Sequence, residues 1–245
     1  MKGVVIIPTY NERENISPRS GGDRHPSRYG ILDAVHSYLP EADILVIDDG
    51  SPDGTADVVK ERMKTDRKLF LIQRPRKMGL GTAYIRGFRW ALDNGYEYAF
   101  EMDADFSHDP MDLPRFVKEL ENGADLVIGS RYIPGGEVVD WPKKRKSLSH
   151  YANLYARFVT SAPIKDMTAG YKCYKTKIFK EIRLDNISAD GYGFQIEIDF
   201  RVWLAGFNVK EIPIVFRDRR VGVSKLNRRI VWQALFLVPQ LRLWR

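Results

Sequence analysis

Short apolar runs alternate with helical patterns through the first half of the chain, and this alternation constrains the fold more than any other feature. Five runs have the length and composition of buried strands, at residues 4–7, 44–47, 69–72, 98–102 and 126–128. Three segments between them carry apolar side chains every three or four positions, at residues 55–64, 83–94 and 112–122. This alternation predicts an α/β domain in which a mostly parallel sheet is flanked by helices.

The second half is less regular. Helical patterns occupy residues 151–160, 176–182 and 195–204. Residues 209–216 read as a strand, and Pro213 places that strand at a sheet edge or a bulge.

Two segments do not follow the alternation. Residues 17–30 have no helical period and predict a mobile loop, which shortens the first helix to residues 31–37. Residues 230–245 are apolar nearly all round, which fits either a core helix or an amphipathic helix lying in a membrane surface.

Polar clusters follow three of the predicted strands, at residues 8–12, 48–55 and 103–105. The carboxyl ends of parallel strands meet at one sheet edge, so we expect the clusters to converge on one ligand. In the third cluster, Asp103 and Asp105 have the spacing that suits a divalent cation bound to a diphosphate. An Asp-x-Asp pair alone also occurs in ordinary polar loops. A ligand site is favoured here because three polar clusters are expected to meet at the same sheet edge.

The charge and cysteine content narrow the class of protein. The net charge is +7 and the pI is near 9.4. These values suit partners that carry phosphate, namely nucleic acid, anionic lipid or a nucleotide. A basic surface that is simply solvated would give the same charge and pI. The basic residues concentrate at 143–146 and in the last thirty positions. A single cysteine excludes an intramolecular disulfide framework. No apolar run reaches the roughly 18–20 residues that span a bilayer, so we expect no transmembrane helix.

Six separated segments carry a family resemblance that runs from residue 3 to residue 230. They read PTYNEREN at 8–15, IDDGSPDGT at 47–55, GLGTAY at 79–84, MDADFSH at 102–108, GSRY at 129–132 and VGVSK at 221–225. In this order they resemble the dolichol-phosphate (polyprenol-phosphate) mannosyltransferases, which are inverting glycosyltransferases with the GT-A fold.

The resemblance implies an enzyme that transfers mannose from GDP-mannose to a dolichyl or polyprenyl phosphate, with Mg²⁺ or Mn²⁺ as cofactor. It implies a GT-A domain over residues 1–229, followed by the amphipathic segment 230–245. The protein would lie peripherally on the cytoplasmic face of a membrane, with an anchoring partner subunit as a further expectation. Nucleic acid is not an expected partner.

The resemblance also implies residue roles. The guanosine would be held by Pro8, Tyr10, Glu12, Ile47 and Asp49. Asp103 and Asp105 would hold the metal and the diphosphate, and the backbone of Ala104 would touch the nucleotide sugar. The phosphates of donor and acceptor would face Arg131, Arg219 and Lys225. The catalytic set would be Asp105, Arg131 and Arg219.

The chemistry of the acceptor argues against a dedicated general base. A phosphate monoester has a second pKa of about 6, so it is largely an anionic nucleophile at neutral pH. We therefore interpret His108 as a loop residue or a neighbour of the metal ligands. Ser107 stands where some relatives have glutamine as an additional metal ligand.

Two further residues and one segment each have two interpretations. Glu197 is either a surface carboxylate or part of the acceptor site. For Lys172 we favour a solvated lysine over one that contacts phosphate. Residues 143–146 are interpreted as a flexible loop near lipid headgroups, with a solvated charge run as the alternative.

Three rival functions stay open at this point. Transfer of glucose from UDP-glucose to the same lipid class uses the same motifs. A basic nucleic-acid-binding module would keep its affinity when Asp103 is changed to Asn. A membrane adaptor without catalysis would bind liposomes and release no GDP.

Overall fold

The computed structural model describes residues 1–17, 30–187 and 191–218, together with positions 239 and 241. Most of the predicted loop at 17–30 lies outside these residues, and so do Arg219 and Lys225. The same holds for segment 230–245 apart from Pro239 and Leu241, and Leu241 is fully buried in the core. The predicted boundary at residue 229 therefore stays a prediction.

Nine strands are present in the described ranges. They are β1 (Gly3–Thr9), β2 (Asp43–Asp48), β3 (Leu69–Gln73), β4 (Tyr98–Glu101), β5 (Leu126–Ser130), β6 (Glu137–Val139), β7 (Lys172–Lys175), β8 (Val209–Pro213) and β9 (Val215–Arg217). Seven of them form one sheet in the order β3-β2-β1-β4-β7-β5-β8, and β6 pairs with β9. All neighbours in the large sheet run parallel except β7, which is antiparallel to both β4 and β5.

This sheet confirms the predicted mostly parallel α/β fold. The five predicted runs form β1 to β5. The predicted strand at 209–216 is split in two, because the chain leaves the large sheet after Pro213 and continues as β9 on the small one. Pro213 ends the edge strand β8, as its missing N–H leads one to expect.

Eight α-helices lie in the same ranges, besides two single-turn 3-10 helices at Pro110–Asp112 and Leu184–Asn186. They are α1 (Arg13–Ile16), α2 (Gly30–Tyr38), α3 (Thr55–Met63), α4 (Leu80–Asp93), α5 (Leu113–Glu121), α6 (Lys143–Thr160), α7 (Lys177–Glu181) and α8 (Gly191–Leu204). The predicted helices agree with these bounds to within a few residues except at α6. There the flexible loop expected at 143–146 is wrong, since these residues form the first turn of an 18-residue helix. Pro142 precedes that turn, and burial of Asn153 and Ala156 further along stabilises the helix through packing.

The sheet separates two apolar layers. Val4 and Ile6 of β1 face the layer that contains α4 and α8, and Val5 and Ile7 face the layer that contains α2 and α5. On α4, a Cβ added at Gly87 would lie 2.7 Å from Cγ2 of Ile6, so only glycine lets the helix pack this closely. Ile47 of β2 lies against the same glycine, so α4 packs closely on both β1 and β2.

Candidate active site

The three polar strand ends predicted to converge are neighbours in the sheet. The order β2-β1-β4 places them side by side at the carboxyl edge, with Thr9 opposite Asp48 in the register. The hydroxyl of Thr9 donates to Asp48 (3.0 Å), and the N–H of Asp49 donates to the carbonyl of Thr9 (3.0 Å). The edge is therefore joined by side-chain and backbone bonds beyond the strands themselves.

Asp48 is a structural member of this edge. Its carboxylate is fully buried and accepts bonds from the N–H of Ser51 (2.9 Å) and the hydroxyl of Ser51 (2.5 Å). The turn that follows needs Gly50, which has a φ of 68°, because an added Cβ would lie 3.1 Å from the carbonyl oxygen of Pro75.

Asp49 organises the loop between β3 and α4. Its carboxylate pairs with Arg74 and accepts the N–H of Met78 (3.0 Å). Arg74 also donates to the hydroxyl of Thr82 (2.7 Å) and the carbonyl of Gly79 (3.0 Å). Sequence reasoning missed Arg74; its signal was a lone arginine directly after an apolar strand.

The other residues expected at the nucleobase occupy different depths. Pro8, Tyr10 and Glu12 are partly exposed, whereas the Ile47 side chain is buried in the core. The Lys77 ammonium lies 4.8 Å from the centre of the Tyr10 ring. Glu12 accepts a bond from the side-chain amide of Asn15 (2.7 Å). Tyr10 and Glu12 thus stand at the rim, and Ile47 lies beneath it.

Asp103 and Asp105, which we call the acidic pair, begin a tight turn after β4. Asp103 is partly exposed, while Ala104 and Asp105 are buried. The N–H of Asp103 donates to Nδ1 of His108 (3.1 Å), and the N–H of Ser107 donates to Oδ1 of Asp105 (3.0 Å). These two bonds close the turn.

The atoms around the acidic pair fit a hard divalent cation. The Ser107 hydroxyl is buried and has no hydrogen-bond partner among the described residues. Those residues contain no cluster of three or more His, Cys, Asp or Glu side chains that would hold a metal. Two carboxylates and a hydroxyl are oxygen ligands of the kind that Mg²⁺ and Mn²⁺ accept, with water and substrate phosphates completing the shell.

His108 is a neutral hydrogen-bond acceptor in this structure. Its ring is 2% exposed, and burial, partly opposed by Asp105, lowers its pKa to about 4. Because Nδ1 accepts the N–H of Asp103, the ring hydrogen is on Nε2. This arrangement agrees with the interpretation that His108 neighbours the metal ligands.

Arg131 lies directly after β5 and is almost completely buried. Its guanidinium makes two bonds of 2.7 Å to Asp166, through Nε and Nη2, and a third to the hydroxyl of Thr168 (2.8 Å). Burial acts to lower the pKa of Arg131, but the Asp166 carboxylate outweighs it and the net shift is upward. Sequence reasoning assigned Asp166 no role, and its pairing with Arg131 gives it one.

A cavity of about 400 Å³ opens beside Arg131. It lies between the end of β5 and the first half of α6. Its wall includes Arg131, Tyr132, Lys146, His150 and Tyr151. Cationic and aromatic side chains therefore line much of this space, together with the carboxylate of Glu137 and the apolar side chain of Val138.

Burial contradicts the interpretation of Lys172 and excludes one of the two interpretations of Glu197. Lys172 is not solvated: it is fully buried, and its ammonium donates to Gln195 Oε1 (2.6 Å) and Asp199 Oδ1 (2.7 Å). Glu197 is not a surface carboxylate either, since it is fully buried and pairs with Arg201 at 2.7 Å. In both cases hydrogen-bond partners on α8 make burial tolerable.

The fold and this edge define the class of protein as a GT-A-type nucleotide-sugar transferase domain. Residues 4–183 match the model of glycosyl transferase family 2, and the chain belongs to that family of enzymes. Two curated relatives are each 44% identical to it. One is the polyprenol monophosphomannose synthase of Mycolicibacterium smegmatis, matched over 97% of this chain and 85% of the relative. The other is the undecaprenyl-phosphate mannosyltransferase of Micrococcus luteus, matched over 98% of this chain and 93% of the relative.

Solved structures support the fold. A glucosyl-3-phosphoglycerate synthase from Mycobacterium tuberculosis, in complex with Mn²⁺, UDP and phosphoglyceric acid, aligns with a TM-score of 0.71 at 15% identity, covering 98% of this chain and 78% of that one. The mannosyltransferase PcManGT from Pyrobaculum calidifontis, in complex with GDP-Man and Mn²⁺, aligns with a TM-score of 0.58 at 18% identity, covering 95% and 59%. Within the described ranges, no helix combines the length and hydropathy needed to cross a membrane.

Proposed function

We propose that this chain transfers mannose from GDP-mannose to a dolichyl or polyprenyl phosphate, with inversion, to give polyprenyl-phosphate β-mannose and GDP. The observation that carries the proposal is the adjacency of the β2, β1 and β4 ends, which puts Asp49, Tyr10 and the acidic pair on one sheet edge. The two relatives at 44% identity, both named for mannosyl transfer to polyprenyl phosphates, support the choice of sugar and acceptor.

The donor would lie along this edge with its base toward β1 and β2. Tyr10 offers an aromatic face for stacking on the base, and the Glu12 and Asp49 carboxylates are acceptors for base or ribose hydrogens. Pro8 and Ile47 would border the base, Ile47 through its backbone. The Ala104 backbone would meet the nucleotide sugar between the two acids.

The acidic pair, with Ser107 beside it, would hold Mg²⁺ or Mn²⁺ against the diphosphate. When bound, the cation offsets the negative charge that develops on the departing GDP. The closed turn of residues 103–108 sets the positions of both carboxylates before substrate binds.

The acceptor phosphate would occupy the cavity beside Arg131. Its anionic oxygen attacks the anomeric carbon as the bond to the diphosphate breaks, so no side chain has to remove a proton. Arg131 and Lys146 supply positive charge at this wall, and Nη1 of Arg131 is the guanidinium nitrogen that Asp166 leaves available. Arg219 and Lys225 are proposed to add charge from outside the described residues.

Helix α6 supports a peripheral position on a membrane. Four large apolar side chains spaced along α6 are 43–81% exposed; they are Leu148, Tyr151, Leu154 and Phe158, which we call the α6 stripe. Lys143, Lys144 and Lys146 are exposed in the first turns. An apolar stripe beside lysines suits an anionic lipid surface, and the adjacent cavity would then receive a phosphate whose lipid tail stays in the bilayer. We place this surface on the cytoplasmic face and propose a second contact with lipid from segment 230–245, apart from Leu241, which is buried in the core.

A donor screen tests the proposal. The purified chain is mixed with a short polyprenyl phosphate and either GDP-mannose or UDP-glucose, with and without Mn²⁺ or Mg²⁺, and both released nucleotide and lipid product are measured. We expect metal-dependent GDP release that Asp103→Asn abolishes. Asp57→Asn, an exposed carboxylate on α3, serves as the matched control and should leave the rate unchanged.

Each rival has its own outcome in this screen. Product from UDP-glucose alone would assign the glucosyl reaction. No product from either donor, with liposome binding intact, would assign the adaptor, and RNA or DNA affinity that survives Asp103→Asn would favour the nucleic-acid module.

A further inference from the structure

The backbone of the acidic pair is attached to the imidazole of His108. The amide of Asp103 donates to Nδ1 of His108 at 3.1 Å, across a turn in which Phe106 takes a φ of 60°. Leaving this part-buried N–H without its acceptor would cost free energy, so the bond to His108 stabilises the turn that carries both acids.

The ring itself is fixed from several sides. It stacks on Tyr171, with ring centres 4.8 Å apart and planes 16° apart, and it meets Phe216 edge-on at 5.6 Å. Gly170 lies next to the ring, and an added Cβ there would make ordinary van der Waals contact at 3.6 Å from Cε1 of His108. The Tyr171 hydroxyl donates to the carbonyl of Asp109 (3.0 Å), which ties the same ring stack to the far end of the turn.

The same aromatic residues reach the Arg131 side of the site. Phe216 lies 5.5 Å from the Arg131 guanidinium as well as against His108. Through Phe216, the ring of His108 thus connects the turn that carries the acidic pair with the wall where Arg131 is paired with Asp166.

From this geometry we infer that His108 is a positioning residue: by accepting the Asp103 N–H while stacked on Tyr171, it sets where the two carboxylates stand, and so sets the affinity of the site for its divalent cation. The inference deepens the proposed function and rests on it for the identity of the donor. It requires an acceptor at the Nδ1 position and gives His108 no contact with substrate.

Three substitutions separate the acceptor from the ring. His108→Asn puts a side-chain oxygen close to where Nδ1 stands and removes the ring. His108→Gln moves the oxygen about one bond further, and His108→Phe keeps the stacking ring without an acceptor. We expect the Mn²⁺ concentration for half-saturation to rise about tenfold in the Gln and Phe variants, since the loss of one hydrogen bond is worth up to about that factor. The Asn variant should stay within about threefold of the unmodified chain on the same scale.

The readout is Mn²⁺ binding in the presence of GDP, followed by calorimetry or by the Mn²⁺ electron paramagnetic resonance signal, with thermal unfolding of each metal-free variant alongside. The inference is overturned if all three variants bind Mn²⁺ as tightly as the unmodified chain. It is also overturned if the Asn variant loses as much Mn²⁺ affinity as the Phe variant. If the Phe variant does not fold, the comparison of Asn with Gln decides. Absence of mannosyl transfer by the unmodified chain would instead count against the proposed function, because Mn²⁺ and nucleotide binding are measured without turnover.

Discussion

Arg131 and Asp166 form a buried two-point ion pair, with Nε and Nη2 of the arginine each 2.7 Å from a carboxylate oxygen and 5% and 0% of the two side chains exposed. The pair fixes the plane of the guanidinium before any ligand arrives. Asp166 also accepts the backbone N–H of Arg131 at 2.9 Å, so the carboxylate orients the end of β5 as well. The arginine at this wall is therefore rigid, which suits recognition of a phosphate in one orientation.

Replacing Arg131 with Lys tests that rigidity. Lysine keeps the charge but cannot make the two parallel bonds, so we expect a loss of about 1.5–3 kcal/mol in the free energy of unfolding and a large fall in transfer rate. Urea unfolding and GDP release measure the two effects. Arg89→Lys is the control, because Arg89 pairs with Asp185 at the surface and should change stability by less than about 1 kcal/mol. An unchanged urea midpoint for the Arg131 variant would show that the two parallel hydrogen bonds to Asp166 are not needed for stability.

Replacing Ser107 with Ala tests whether its unpaired hydroxyl serves the cation. The Ser107 hydroxyl is buried and has no hydrogen-bond partner among the described residues. Its removal should leave the metal-free protein as stable as before, or about 1 kcal/mol more stable. The Mn²⁺ concentration for half-maximal GDP release should nevertheless rise several-fold. Ser51→Ala is the contrasting control, since the Ser51 hydroxyl bonds to Asp48 and its loss should destabilise the fold. A Ser107 variant with unaltered Mn²⁺ dependence would remove this residue from the site.

The central strands could be predicted from sequence because both faces of the sheet are covered. Strands β1 and β2 are apolar along their length and end in polar clusters, a pattern that needs no distant information. Strand β7 was missed because Lys172 interrupts its apolar character. That lysine is buried only because Gln195 and Asp199, more than twenty positions later, supply its partners.

The candidate site shows the same division. The acidic pair and Asp49 directly follow strands, so local sequence was enough to predict that they lie at one sheet edge. The pairings of Asp49 with Arg74 and of Arg131 with Asp166 join distant positions, so a single sequence does not reveal them. At α6 the run of basic residues suggested a loop, while packing of later residues determined the helix.

A pH-dependent stability is expected from Asp199. Burial, partly offset by Lys172, raises its pKa from 3.8 to about 8. Between about pH 4 and pH 8 the folded protein therefore holds a proton that the unfolded chain has released, and stability falls as pH rises through this range, by up to about 1.4 kcal/mol per pH unit.

Urea unfolding at pH 6, 7 and 8 measures this slope. Asp199→Asn removes the titrating group, so its curve should be flatter than that of the unmodified chain across the same interval. Asp57→Asn, at an exposed position on α3, should keep the original slope. If the free energy of unfolding falls equally with pH in the unmodified chain and in the Asp199→Asn variant, another group causes the pH dependence.

The α6 stripe gives a prediction that is independent of the chemistry at the acidic pair. Phe158 is 81% exposed, so Phe158→Ser should change the free energy of unfolding by less than about 0.5 kcal/mol. If that ring enters lipid, its loss removes about 1.5–3 kcal/mol of apolar burial and should weaken binding to anionic vesicles about tenfold or more. Vesicle co-sedimentation measures this, with Met63→Ser on α3 as an exposed apolar control. Turnover of a short, water-soluble polyprenyl phosphate should be unaffected in both variants. Equal vesicle affinity for the Phe158 variant and the unmodified chain would place the membrane contact away from α6.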